Sequence, residues 1–248
     1  MPMNETKAII ERVKKVNRKV QHLELAVDKS LTSIKPGQSL LARLDEDSWH
    51  PYLREQWWPV SLSTKKLFIE RPVELQYQPG QVVNILGLVG KPYRFRRTLR
   101  NVLLIAYETS PTALLMIIPW LLGNQVSVTL VLAGSATEYS TGHINAEVEI
   151  VHGDEEMDWP DQVMTIGWAD QVFVVVKQDD EMGRFRKVME RFQQRRADIP
   201  SNYLFGVFQP TMTCGAGACS ACMLQMKEGA HLICTDGPAF DLTQVAKL

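Results

Sequence analysis

An excess of charge of either sign is missing from this chain. Lys plus Arg number 27 and Asp plus Glu 28, for a net charge of −1. That excludes the strongly basic surface by which nucleic-acid binders are usually recognised, so no nucleic-acid partner is expected. Long apolar runs are missing too. Val102–Tyr107, Ala113–Gly123 and Val126–Gly134 are rich in aliphatic residues, but Glu108, Asn124 and Gln125 interrupt them. None reaches the roughly 20 residues that a membrane-spanning helix needs, so no membrane partner is expected. Histidine is sparse. The five histidines are scattered, with none at metal-ligand spacing to another. Cysteine is scarcer still: there are four, and all fall between positions 214 and 234. With these grouped together, none remains for a disulfide framework. No secretory leader pattern shows in the first residues, so a reducing, cytoplasmic setting is expected.

What is present is concentrated in that one segment. Cys214, Cys219, Cys222 and Cys234 are spaced C-x4-C-x2-C-x11-C, the plant-type 2Fe–2S pattern with a shortened last gap. The intervening residues are Gly215, Ala216, Gly217, Ala218, Ser220 and Ala221. Their small side chains let the backbone wrap closely and aim N–H groups at sulfur, and the glycines allow positive φ. Structural zinc is the competing reading, although it usually takes two C-x2-C knuckles and only one is present. A thioredoxin-like use of Cys219-Ser220-Ala221-Cys222 would leave Cys214 and Cys234 without a role. The four cysteines are therefore the candidate ligands of a 2Fe–2S cluster.

The 248 residues, 45% hydrophobic and 22% charged, suffice for two small domains and an appendage. The first hundred residues read as β-rich. Strands are expected at Val20–Val27, Ser39–Leu44 and Val82–Leu86, with Pro36-Gly37 and Pro79-Gly80 as turns. Lys7–Val20 fits both a strand and a helical period, and a strand is preferred. Beyond Asn101, buried strands are expected at Val102–Tyr107, Val126–Ala133, Val172–Val176 and Tyr203–Phe208. Between them, Ser110-Pro111 predicts the start of a helix running to Gly123-Asn124, and Glu181–Arg195 reads as a second helix. Such alternation implies a parallel sheet covered on both faces. The cysteine segment follows Phe208.

This order of parts resembles the electron-transfer subunit of class 1B dihydroorotate dehydrogenase, in the ferredoxin-reductase superfamily. Met212–Cys222 (MTCGAGACSAC) and Cys234–Phe240 (CTDGPAF) resemble that family's cluster domain almost residue for residue. Lys35-Pro36-Gly37-Gln38, Pro79-Gly80-Gln81 and Gly87–Pro92 (GLVGKP) resemble its barrel turns. The resemblance implies an α+β multidomain chain. Residues 1–98 would form an antiparallel β-barrel of FAD-binding type, 99–209 an α/β parallel-sheet domain of nucleotide-binding type, and 210–248 a small 2Fe–2S domain. It further implies electron flow from NADH through FAD and the cluster to a flavin-containing dehydrogenase partner in a hetero-oligomer, with pyrimidine synthesis as the pathway by analogy.

The nucleotide signatures of that family are altered here. Where its barrel has an Arg-Pro-Phe-Ser type motif for the FAD pyrophosphate, this chain has Trp57-Trp58-Pro59-Val60-Ser61. Arg54, Trp57, Trp58 and Ser61 are therefore the candidate FAD contacts; the plainer reading puts one tryptophan in a barrel core and the other on an interface. The stretch from Ser61 to Pro79 is too short for the family's Gly-x-Gly-Thr segment. Where a glycine-rich turn should admit a dinucleotide phosphate, the chain reads Ala106-Tyr107-Glu108-Thr109-Ser110-Pro111. Val175-Val176-Lys177 replaces the family's Cys-Gly-Pro strand end. The basic run Lys91–Arg100 (KPYRFRRTLR) reads as an inter-domain segment, a phosphate contact or a dock for an acidic partner. The preferred expectation is a 2Fe–2S electron-transfer subunit without an NAD(P) site. A complete FAD-containing, NADH-dependent reductase subunit and a non-catalytic, cluster-bearing scaffold or redox-sensing subunit are the alternatives.

Overall fold

The structure, a computed structural model, describes residues 4–45, 54–246 and 248. Its first unit is antiparallel. β1 (Asn4–Lys15), β2 (Val20–Ala26), β3 (Ser39–Leu44), β4 (Glu55–Trp57), β5 (Pro59–Ser63), β6 (Lys66–Pro72) and β7 (Val82–Val89) form one seven-stranded sheet in the order β4-β3-β7-β1-β2-β6-β5. Its two edge strands, β4 and β5, are separated in sequence by Trp58 alone. A sheet whose opposite edges are joined by one residue has to curl back on itself, which gives the barrel its shape. Alternation along the strands fills the interior with Ile10, Leu23, Leu25, Leu67, Ile69, Val83 and Ile85, all fully buried. The ambiguous N-terminal stretch is strand, because Ala8 and Ile10 point inward while Glu5, Lys7 and Ile9 face outward.

The second unit is a parallel sheet. β8 (Asn101–Tyr107), β9 (Ser127–Ala133), β10 (Glu149–Gly153), β11 (Gln171–Val176) and β12 (Leu204–Val207) run in the order β10-β9-β8-β11-β12. Successive residues of β8 and β11 enter opposite cores. Leu103, Ile105, Val172 and Val174 meet α3 (Gln162–Trp168) and α4 (Glu181–Arg195) through Ile166, Phe185, Val188 and Phe192. Val102, Leu104, Phe173 and Val175 meet the opposite layer through Leu114 and Leu121. Burial on both faces explains the unbroken apolar runs of these strands. The helix expected from Ser110 to Gly123 is instead two short ones, α1 (Thr112–Leu115) and α2 (Ile118–Gly123). Pro119, which lacks an N–H, falls at the start of the second, so a continuous hydrogen-bond ladder cannot pass through it. Among the described residues no helix is long and apolar enough to cross a membrane.

The two units share a core. Trp58, Val60 and Tyr93 from the barrel side belong to the same buried cluster as Leu114, Leu115 and Phe173. Tyr93 O–H donates to the Ala113 carbonyl at 2.9 Å. The cysteine segment is woven in rather than merely appended. A hairpin of β13 (Met223–Met226) and β14 (Gly229–Leu232) leads through the short α5 (Ile233–Asp236) into β15 (Ala239–Asp241). β15 then pairs antiparallel with β12 as the edge strand of the parallel sheet.

Candidate metal centre

Three of the cysteines lie on the loop before β13, and Cys234 lies in α5. The loop turns through left-handed backbone at Gly215 (φ 63°), Gly217 (φ 77°) and Ser220 (φ 56°). Glycine at the first two positions avoids the Cβ clash of that conformation. A Cβ at position 217 would also stand 3.0 Å from Thr235 Cγ2, so the loop packs directly on α5. Backbone N–H groups reach sulfur: Ala216 donates to Cys214 Sγ and Cys234 to Cys222 Sγ, each at 3.4 Å. Thr213 Oγ1 lies 2.8 Å from Cys219 Sγ.

The four thiols influence one another. Cys214 interacts with Cys219, and Cys234 with Cys222 first and with Cys214 more weakly, while no three of the four lie within 4.8 Å of one another. A single tetrahedral ion with Zn–S bonds of about 2.3 Å would hold all four sulfurs about 3.8 Å apart. The four sulfurs are spread more widely than that. Cys222 and Cys234 are buried, Cys214 is half-buried and Cys219 is exposed. Burial, with the adjacent Cys222 thiol, pushes Cys234 up to about 12. At Cys214 burial also acts upward, but the N–H groups of Ala216, Cys219 and Ala218 and the Cys219 thiol outweigh it, bringing that thiol down to about 6.

Both larger units anchor this segment. Gly90 N–H donates to the Cys234 carbonyl at 2.9 Å, and Lys91 pairs with Asp236 at 3.0 Å. Phe208 N–H donates to the Pro238 carbonyl at 2.9 Å, and Gln209 N–H to Glu181 Oε1 at 2.7 Å. Burial pushes the Glu181 carboxyl up to about 7 despite that hydrogen bond. Of the basic run, Lys91 is thus spent on the cysteine segment, and Arg96 donates to the carbonyls of Ser201 and Asn202, each at 3.0 Å. Both tie inter-domain surfaces. The sequence marked the cysteines but not these anchors, whose partners are remote along the chain.

The candidate flavin contacts do not converge. Arg54 donates to Asn84 Oδ1 at 2.6 and 3.1 Å and pairs with Glu5 at 2.6 Å. Trp57 lies inside the barrel core, with the Arg71 guanidinium 5.0 Å from its ring. Trp58 is buried in the seam between the units. Of the four, Ser61 alone lines the cavity of about 620 Å³ that opens between β5 and α2. Instead of a Gly-x-Gly-Thr segment, the stretch after Ser61 forms the β5–β6 hairpin. At the carboxyl ends of β8 and β9, Glu108 takes a left-handed turn (φ 59°) and accepts from Ser135 N–H at 3.3 Å. A Cβ on Gly134 would fall 2.0 Å from its Oε1. A carboxylate therefore covers the strand ends where a phosphate would enter a dinucleotide fold.

Residues 209–246 match the iron–sulfur cluster binding domain of dihydroorotate dehydrogenase B. The C-terminal segment is similar to that domain. Its donor set, four thiols with backbone N–H groups directed at sulfur, fits such a group. Solved structures extend the likeness over the whole chain. A chain of the NADH-dependent reduced ferredoxin–NADP oxidoreductase, studied for flavin-based electron bifurcation, is 18% identical with a TM-score of 0.71, covering 96% of this chain and 89% of that one. The flavohem-like FAD/NAD binding domain of nitric oxide dioxygenase from Vibrio cholerae O1 biovar El Tor is 16% identical with a TM-score of 0.61, covering 81% of this chain and 98% of that one. The ferredoxin reductase of carbazole 1,9a-dioxygenase is 13% identical with a TM-score of 0.59, covering 82% and 69%. The fold is thus ferredoxin-reductase-like. Sequence comparison with curated proteins returned no match.

Proposed function

We propose that this chain is an electron-transfer subunit whose Cys214, Cys219, Cys222 and Cys234 thiolates hold a 2Fe–2S cluster. Cys214 and Cys219 ligate one iron, and Cys222 and Cys234 the other. The observation that carries the reading is a loop that aims backbone N–H groups at the cysteine sulfurs within a segment that matches a cluster-binding domain. When bound, the cluster accepts and releases single electrons. The chain's own contribution is asymmetric. Buried Cys222 and Cys234 seat the centre against α5, while exposed Ala216 and Ala218 leave the Cys214–Cys219 side close to solvent. A small-residue face of this kind lets a partner come within electron-transfer distance.

The NAD(P) site of the ferredoxin-reductase fold is lost in this reading, supported by Glu108 over the strand ends. FAD is not retained as a firmly bound group, supported by the commitment of Arg54 to Asn84 and Glu5 and by the buried position of Trp58. The three units 1–98, 99–209 and 210–248 serve as a rigid holder for the centre. On this reading electrons come from elsewhere, so the chain works in a hetero-oligomer, and the matched domain points to a flavin-containing dehydrogenase of the dihydroorotate type as partner. Native purification under anaerobic conditions, with crosslinking and identification of co-purifying chains, tests this. A flavoprotein that reoxidises the reduced centre is the expected result. Recovery of this chain alone, with no flavoprotein in the extract reoxidising it, overturns the relay.

A further inference from the structure

Two of the histidines that look scattered in sequence are brought together by the fold. His22 on β2 and Glu70 on β6 are directly opposed across the strands. His143 arrives from the loop after β9 in the other unit. The imidazoles of His22 and His143 meet edge to face, with ring centroids 5.3 Å apart. One ligand atom from each of His22, Glu70 and His143 lies within 4.8 Å of the other two.

We propose that His22, Glu70 and His143 form a second metal site, separate from the cysteines, which binds a divalent transition ion of the zinc class through two imidazole nitrogens and one carboxylate oxygen. The spacings fit an ion between the groups better than two charge-assisted hydrogen bonds, with only the His22 contact within hydrogen-bond reach. His22 Nε2 and His143 Nε2 stand 3.3 and 3.6 Å from Glu70 Oε2. Charge-assisted N–H···O bonds are shorter, about 2.7–2.9 Å. A tetrahedral ion with bonds of about 2.1 Å has ligand–ligand edges of about 3.4 Å. The observed pair brackets that edge.

The surroundings supply the support that ligating groups need. Thr112 O–H donates to Glu70 Oε1 at 2.5 Å, and Tyr139 O–H to Oε2 at 2.6 Å. Ligating carboxylates are characteristically oriented by such outer contacts. Tyr139 Oη also lies 3.0 Å from His143 Nε2, close enough to act as a fourth donor or to hydrogen-bond one. Access is built in as well. The Glu70 side chain is only 3% exposed, but those of His22 and His143 are 19% and 20% exposed and line the cavity of about 620 Å³ beside Ser61. Three protein ligands facing a cavity correspond to the open kind of zinc site, with a position left for water or a small anionic ligand. Because the ligands come from both large units, the ion would also fasten the barrel to the parallel sheet.

The test uses the full chain with its cysteines already loaded with iron and sulfide, so that thiolates cannot compete. After equilibrium dialysis against zinc, one zinc per chain is expected. Zinc-edge X-ray absorption should show nitrogen and oxygen at about 2.0 Å and no sulfur shell at about 2.3 Å. His22→Gln and His143→Ala, both at partly exposed positions, should each weaken zinc binding by about a hundredfold or more while iron content stays unchanged. Absence of bound zinc, a sulfur shell, or undiminished affinity in both variants would overturn the proposal. The spectroscopic measurement needs no variant, so a misfolded mutant cannot obscure the answer.

Discussion

At the scale of single residues, the cysteine loop is where side-chain size matters most. Replacing any one of Cys214, Cys219, Cys222 or Cys234 by Ser should abolish the holo absorption spectrum and expose residues 210–248 to proteolysis, because ligation and local folding are coupled. Gly217→Val should lower cluster occupancy, since it places a branched side chain at φ 77° and against Thr235; iron content of the purified variant checks this. Ala216→Leu or Ala218→Leu should behave differently. Both positions are exposed, so iron content should be retained while electron transfer to the partner slows by tenfold or more, about 1.4 kcal/mol at the barrier. Equal loss of iron and of transfer would mean that the alanines serve the loop rather than a contact. The candidate ligands and their spacers were legible in sequence because they are local. His22, Glu70 and His143 were not, since nothing short of strand pairing and domain contact could bring them together.

At the scale of elements, α4 does more than cover the sheet. Its fully buried Phe185, Val188 and Phe192 fasten it to the core, and Glu181 at its start holds Gln209, where the cysteine segment begins. The Glu181 carboxyl has a folded pKa of about 7 against an ordinary 4.5. Between those values the folded protein binds more protons than the unfolded chain, so stability falls as pH rises from about 4.5 and levels off above about 7. The contribution lost is on the order of 3 kcal/mol. Glu181→Gln keeps an acceptor for Gln209 N–H and should remove this part of the slope, making the variant the more stable protein at pH 8. Urea unfolding of both proteins at pH 5 and pH 8 measures it. The boundaries of α4 were legible because an apolar period and the acidic residues before it are local signals, as were the aliphatic runs of β8, β9 and β11. The β5–β6 hairpin, β10 and α3 were not anticipated, because their apolar positions are few and gain meaning only from the surfaces they meet. The break between α1 and α2 was legible in principle from Pro119.

At the scale of the whole molecule, a ferredoxin-reductase-like frame carries the cysteine segment, and Glu108 stands at the ends of its β8 and β9. The order of units was legible because barrel, parallel sheet and cysteine loop differ in texture. The joint core was not, since Trp58, Val60 and Tyr93 acquire their partners only when the units dock. With Glu108 over the ends of β8 and β9, calorimetry should detect no saturable binding of NADH or NADPH at physiological concentration. Micromolar binding would reveal a nucleotide site made from other residues. The central claim is that the four thiolates hold two irons in pairs. It is tested most directly by purifying the chain anaerobically, quantifying iron, acid-labile sulfide, zinc and flavin, and recording the electron paramagnetic resonance of the reduced protein. Two irons and two sulfides per chain, with the signal of a single unpaired electron shared by two irons and flavin well below one per chain, are expected. One zinc or one iron bound to all four thiolates, with no labile sulfide after reconstitution, would contradict it.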